Sequence, residues 1–326
     1  MKALVCKELG DVDQLVLEEN WPDPELAADQ VLIEVKAGGL NFPDLLMIQG
    51  KYQSKPELPF VVGGECAGVI SAIGSDVSRY KVGDKVIAIG GTAFAEKNAV
   101  SEKSCYPMPG SLSFEQAAGA SVTYFTSYYA LKQRANLKAG ETLLVMGAGG
   151  GVGITAVEIG KLMGARVIAA ASSEEKLQLA RDMGADETIN YSEVSLKEAV
   201  KELTDGKGAD VVYDPVGGDY SEQALRATAW NGRFLVIGFA SGPIPKIPLN
   251  LPLLKSCSIV GVFWGTSTVM EPDIHKQNVV ELFQLLNEGK LKPAVTDCFP
   301  LTEYAKGFAC LSERRARGKV ILKVAQ

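Results

Sequence analysis

Between about residues 121 and 262 the chain alternates two textures. Apolar runs of strand length, "ETLLVMG", "ARVIAAA", "DETIN", "ADVVYD", "GRFLVIG" and "CSIVGVF", are separated by amphipathic runs such as "GITAVEIGKLMG", "SEEKLQLARDMG" and "SLKEAVKELTDG". Nearly continuous apolar strands joined by helices predict crossover units and a parallel sheet covered on both faces. Several helical runs close on Gly, the residue that most easily takes the left-handed turn after a helix.

The flanking segments read differently. Residues 1–120 carry short β-branched runs bounded by Gly and Pro, among them "QVLIEVKAGGL", "AGVISAIG" and "GDKVIAIGG", with little helical periodicity. They predict a small β-rich or barrel domain. Residues 263–326 contain the helical "KQNVVELFQLLNEG" and end in the strand-like "GKVILKVA", which is expected to rejoin the first domain. The fold class is therefore α/β, a doubly wound parallel sheet (121–262) beside a β-rich domain (1–120) that 263–326 completes.

Composition narrows the partners. Hydrophobic residues make up 47% and charged residues 22%, an ordinary globular balance, and the net charge of -6 comes without a long basic block. Nucleic acid and anionic membrane are disfavoured as partners. The basic patch "ERRARGK" reads as a solvated face. No apolar run approaches the roughly 20 residues of a membrane helix, and the first residues lack a signal-peptide core. The six cysteines are scattered, without a C-x-x-C pair or neighbouring zinc-type histidine, and suggest reduced thiols and a cytoplasmic protein. The single histidine, His275, falls in the first turn of a predicted helix, without the neighbours of a catalytic or metal site.

Candidate chemistry begins at "TLLVMGAGGGVGITAVEIG", a strand, a tight turn and a helix. A strict G-x-G-x-x-G is absent; the nearest register is Ala148-x-Gly150-x-x-Gly153. Glycine lets the turn take positive φ and lets backbone N–H groups approach a diphosphate. The helix starting near Gly151 adds free donors and partial positive charge. The second strand ends in "AAASSEEK". Dinucleotide folds that take NAD usually place an acid there for the ribose 2′-hydroxyl. Here Ser172 and Ser173 stand instead, with Lys176 one turn into the next helix, a set that favours the 2′-phosphate of NADPH. Glu174 and Glu175 read as first-turn acids, and Lys176 by itself also reads as a solvated helix lysine.

Together, "GLNFPDLLMIQGKY", "VGDKV", "AAGASVTYFTSYYAL", "GAGGGVG", "GADETINY", "YDPVGGDY" and "FLVIGFASG" resemble the medium-chain dehydrogenase/reductase superfamily. The similarity is to its zinc-free quinone oxidoreductase branch, which includes zeta-crystallin, and covers essentially the whole chain. It implies a GroES-like barrel for the first domain and a Rossmann domain for the second. Zinc-dependent members carry a Cys where Asn41 stands and a His where Gly64 stands, so no metal is expected.

The resemblance also implies roles. Backbone N–H groups of Gly150, Gly151 and Val152 would meet the diphosphate. Ser172, Lys176 and Tyr191 would surround the 2′-phosphate. Gly238 and Phe239 would lie along the nicotinamide half, Phe263 and Trp264 would bond the carboxamide through their backbone, and Thr126 would approach the ring. Asn41 and Tyr52 would line the cleft at the reacting face, Tyr52 as proton donor. From the residues alone, Phe239, Phe263 and Trp264 read equally as core aromatics, Tyr52 as a packed loop residue, and Asn41 as the cap of a helix at Pro43. Leu46 stands where some members have a Tyr, leaving the pocket one hydroxyl less polar. The expected activity is hydride transfer from NADPH to a small-molecule quinone or α,β-unsaturated carbonyl compound. The alternatives are an enoyl-CoA reductase and a non-enzymatic nucleotide-binding protein. Finally, "KSCSIVGVFW" is expected at the sheet edge, where an apolar strand invites two-fold pairing with a second copy, and a homodimer follows.

Overall fold

The computed structural model describes residues 1–324. Among them the chain divides into two compact units, one of Met1–Val122 with the described residues from Lys292 onward, the other Thr123–Leu291.

The first unit is β-rich. In chain order it begins with β1 (Ala3–Cys6), β2 (Leu15–Glu18), β3 (Gln30–Leu40) and α1 (Phe42–Ile48). β4 (Phe60–Val61), β5 (Glu65–Ile73), β6 (Lys85–Ile89), β7 (Lys97–Ser101), β8 (Cys105–Pro107) and α2 (Phe114–Ala118) follow. β3 is the spine. Val31, Ile33 and Val35 alternate into the core while Glu34 faces out, as period-two patterning requires. Its end, "AGGL", is buried outright because Gly39 lies under both α2 and Glu65. A Cβ there would sit 2.3 Å from the Ala118 carbonyl and 2.6 Å from Glu65 Oε1.

The second unit contains α3 (Val122–Tyr128, shared across the boundary), β9 (Thr142–Met146), α4 (Gly151–Leu162), β10 (Arg166–Ala171) and α5 (Glu174–Asp182). It continues with β11 (Glu187–Asn190), α6 (Leu196–Leu203), β12 (Ala209–Asp214), α7 (Asp219–Arg226) and β13 (Thr228–Val236). Its last elements are α8 (Asn250–Lys255), β14 (Ser258–Gly261), α9 (Trp264–Met270) and α10 (Pro272–Asn287). All six strands run parallel in the order β11-β10-β9-β12-β13-β14. This is the doubly wound order, and it reverses between β9 and β12, the crevice where such sheets hold ligands. β14 lies at the edge, as the sequence pattern implied.

The contact boundary falls later than position 262, because α9 and α10 pack with the second unit. Tyr128 donates to Glu281 at 2.5 Å, Gln133 and Asn278 exchange amide hydrogen bonds at 2.9 and 3.0 Å, and Leu282 and Leu286 are buried. Only the segment from Lys292 returns to the first unit. There β15 (Val295–Pro300) pairs with β16 (Lys319–Lys323), with α11 (Tyr304–Ser312) between them, and β16 runs antiparallel to β3. No helix among the described residues is long and apolar enough to cross a membrane.

Candidate active site

In the first unit the site grows from the junction of β3 and α1. "NFPD" starts a helix: Asn41 is the N-cap in extended conformation, Pro43 sits in the first turn, and the Asp44 carboxylate accepts the Asn41 N–H at 2.8 Å. The Asn41 side chain is turned inward. Its Nδ2 donates to Glu65 Oε1 at 2.7 Å and to the Gly39 carbonyl at 3.2 Å, and its Oδ1 accepts from Lys319 Nζ at 2.8 Å. The ammonium fixes which end of the amide points where, and both amide protons are committed within the protein.

Lys319 also donates to Glu65 Oε1 at 2.7 Å and to the Leu40 carbonyl at 2.9 Å. Glu65 Oε2 accepts the Ser121 hydroxyl and the Val122 N–H. Glu65 is fully buried and Lys319 is 3% exposed, so this is an interior ion pair whose polar partners are all protein groups.

Asp44 is the unusual acid. Burial pushes its carboxyl from 3.8 up to about 7 against the opposing pull of the Asn41 N–H, the Lys319 charge and the Gly64 N–H; the Glu65 charge adds to the rise. Tyr52, partly exposed in the loop after α1, has its phenol raised first by burial and then by the Asp44 charge. Opposite Asp44, Gly64 needs no glycine for packing: a Cβ there meets only Asp44 Oδ1, at 3.7 Å. An amide bound to an ammonium and a residue without a side chain do not fit a zinc-ligand set. Among the described residues no cluster of three or more His, Cys, Asp or Glu side chains is arranged to hold a metal ion.

In the second unit the glycine turn follows β9. Gly147 takes positive φ (57°), Gly150 is the N-cap, and α4 begins at Gly151. A Cβ on Gly153 would stand 2.2 Å from the Gly147 carbonyl, so glycine is what lets α4 close on the turn. The N–H groups of Gly151 and Val152 lie in the first helical turn, where no intrahelical acceptor exists. The missing Cβ at Gly149 admits Lys176, whose Cβ would otherwise lie 2.4 Å away.

Ser172 is exposed just after β10. Tyr191 is tied to the same strand end by its N–H to the Ala171 carbonyl at 3.1 Å, and Ser192 donates to the Ser172 carbonyl at 3.2 Å. Glu174 is directed along the helix into an ion pair with Arg181. Glycine turn, Ser172, Lys176 and Tyr191 thus share the carboxyl end of one sheet, a cradle of a shape and chemistry that fits a phosphorylated dinucleotide.

The other expected residues are spread along the same unit. Gly238 and Phe239 follow β13, and Phe239 packs where a Cβ on Gly217 would lie, 2.9 Å from its ring. Thr126 is partly exposed on α3 beside Phe125, whose ring lies 5.6 Å from that of Trp264. Phe263 is 52% exposed, so it is not a core aromatic. His275 packs its ring edge-on to Phe125, and burial lowers its pKa. Sequence reasoning missed Glu65, Lys319, Asp214 and Tyr220. The Tyr220 ring packs against that of Tyr191, tilted by 44° with centroids 4.5 Å apart. The signals available were an acid in "GGE" ahead of an apolar strand and another closing "VVYD" before a glycine pair.

Two family profiles match the chain, "Alcohol dehydrogenase GroES-like domain" over residues 27–141 and "Zinc-binding dehydrogenase" over 151–283. The chain is 40% identical to the quinone oxidoreductase-like protein 2 homolog of Nematostella vectensis, over 100% of this chain and 89% of that one. Among solved structures it resembles Escherichia coli quinone oxidoreductase complexed with NADPH (30% identity, 99% and 100% of the two chains, TM-score 0.92). It also resembles CurK enoyl reductase (30% identity, 99% of each chain, TM-score 0.89).

The raised Asp44 pKa has a thermodynamic signature. Because the folded value lies above the unfolded one, the contribution of Asp44 to stability is complete below about pH 4 and is lost as pH rises through about 7, at roughly 1.4 kcal/mol per pH unit between the two values. Asp44→Asn removes that dependence. In denaturant unfolding, the stability of the variant relative to the native chain should improve by a few kcal/mol between pH 5 and 8. A difference that stays constant over this range contradicts the assignment.

Proposed function

This chain belongs to the quinone oxidoreductase branch of the medium-chain dehydrogenase/reductase superfamily, and we propose that it is an oxidoreductase that uses NADPH to reduce a quinone or an α,β-unsaturated carbonyl compound without a metal. The observation that carries the cofactor assignment is the end of β10. It offers hydroxyls and, at Gly149, a lysine stem against the glycine turn, with no carboxylate before Glu174. A carboxylate there would repel a 2′-phosphate, whereas Ser172, Lys176 and Tyr191 suit one.

When bound, NADPH supplies the hydride. Gly150, Gly151 and Val152 bind its diphosphate through backbone N–H groups, and Gly238, Phe239, Phe263, Trp264 and Thr126 form the wall along its reactive half. Tyr52 would provide the proton that accompanies the hydride: a phenol is already protonated at neutral pH, and because burial and the Asp44 charge raise its pKa and make it the weaker acid, it donates only once negative charge has developed on the acceptor. Asn41 acts at the reacting face as a fixed support, its amide held by Lys319, Glu65 and the Gly39 carbonyl.

A second reading, reduction of enoyl thioesters, is favoured by the likeness to CurK enoyl reductase. Steady-state NADPH oxidation with 1,2-naphthoquinone, 1,4-benzoquinone, a cyclic enone and a short enoyl-CoA separates the two. Turnover with none of the four, despite NADPH binding, would leave a nucleotide-binding protein without this activity.

Lys176→Ala tests the cofactor. Loss of a charge-assisted contact should weaken NADPH by about 10- to 150-fold and NADH hardly at all. Equal weakening of both would remove Lys176 from the phosphate site.

We further propose a homodimer joined through β14. Among the described residues this strand has one ladder neighbour, β13, and Ile259 is 42% exposed. The Val262 N–H is turned to the Val236 carbonyl of β13 at 3.1 Å, so the alternation of a strand points the N–H groups of Ile259 and Gly261 outward. Sedimentation at micromolar concentration should find a dimer, and Ile259→Pro, which deletes one outward donor, should yield monomer or aggregate. A native chain that sediments as a monomer rules this assembly out.

A further inference from the structure

β12 is an apolar central strand that ends in a carboxylate. Asp214 is 2% exposed, and burying an acid is costly unless its oxygens are satisfied. Here one oxygen accepts the N–H groups of Val216 (2.9 Å) and Gly217 (3.0 Å), and the other accepts the Ser221 hydroxyl at 2.5 Å. The main-chain carbonyl of the same residue accepts the N–H groups of Ile237 (3.0 Å) and Gly238 (3.4 Å). One residue therefore holds two loops, the turn after β12 through its side chain and the turn after β13 through its backbone.

Those loops are also joined to each other. Ala240 donates to the Pro215 carbonyl at 3.0 Å and Ser241 to the Val216 carbonyl at 2.8 Å. Gly217 and Gly218 both take positive φ (71° and 62°), a conformation that side chains resist, and the space above Gly217 is filled by Phe239. Val216 in turn reaches the glycine turn of β9, 2.9 Å from where a Cβ on Gly147 would be. β9 and β12 are the two strands at which the sheet order reverses. Ser172, Lys176 and Tyr191 lie on the other side of β9, after β10 and β11.

We propose that Asp214 is a positioning residue for the nicotinamide half of the cofactor. It holds Val216, Gly217, Gly238 and Phe239 as one wall of the crevice without touching the adenosine half. The proposal rests on the NADPH reading above. It gives the two halves of the site different main supports, joined where Val216 meets the glycine turn, so disturbing Asp214 must weaken ligands that carry a nicotinamide far more than those that do not.

Calorimetric titration of NADPH and of adenosine 2′,5′-bisphosphate, which lacks the nicotinamide, tests this without turnover. Asp214→Ala should weaken NADPH by roughly tenfold or more and leave the bisphosphate within about twofold. Asp214→Asn keeps one acceptor oxygen for Val216 and Gly217 and should recover most of the NADPH affinity. Where Asp214→Ala does not fold, Ser221→Ala, which removes one of the three donors to the Asp214 carboxylate, should show the same selectivity at about threefold or more. Equal loss of both ligands, or loss of neither, overturns the positioning role while the cofactor assignment stands. A native chain that binds neither ligand overturns the cofactor assignment and this proposal with it.

Discussion

The first unit depends on one interior ion pair. Lys319 and Glu65 are 254 positions apart in the chain, and together they bind the end of β3, the cap of α1, the start of β5, β16 and the Ser121–Val122 junction. Taking two charges out of water costs several kcal/mol for each ion, and attraction between them offsets this only when every remaining polar position is also filled. That condition is met here: the three ammonium protons have three acceptors, and both carboxylate oxygens accept. Removing one member of such a pair typically costs about 3–5 kcal/mol, a large share of the stability of a domain. The arrangement is also directional. It decides how the Asn41 amide lies, and so what the end of β3 presents.

The second unit solves a similar problem with a single acid. Asp214 and Glu65 are both buried carboxylates at strand ends, one at the close of β12 and the other at the opening of β5. Glu65 is matched by a charge and neutral donors. Asp214 is matched by neutral donors alone, and burial raises its pKa while the hydrogen bonds from Ser221, Gly217 and Val216 oppose the rise. A carboxylate held by N–H groups makes a loop stiff in a way that an apolar contact does not, because each bond is directional. The glycines at 217 and 218 supply the backbone conformations that let those N–H groups converge.

Much of the second unit was legible from periodicity. Each apolar run between 142 and 261 became a parallel strand, and the glycine turn lies where strand, turn and helix predicted it. The grouping of α10 was not legible, since its attachment through Glu281 and Asn278 depends on partners about 150 residues away. Lys319 shows the same limit within five residues. "KVILK" has a lysine at each end, four apart, and the alternation of a strand puts both on one face. Yet Lys319 is buried against Glu65 while Lys323 is about half exposed and pairs with Glu115. Nothing local distinguishes them; only the strand's pairing with β3 does. Asn41 was legible as a cap but not as a bound amide, for the same reason.

The division of the first unit into two stretches of chain bears on its biosynthesis. Residues 123–291 form one continuous stretch, so the parallel-sheet unit can close as soon as they have left the ribosome. The β-rich unit cannot. Until Lys319 emerges, Glu65 has no ammonium to meet it, and β3 lacks the neighbour that covers its last residues. The domain begun first is therefore finished second, and the end of β3 that β16 covers, with the acid beside it, waits for its partner throughout the synthesis of the other.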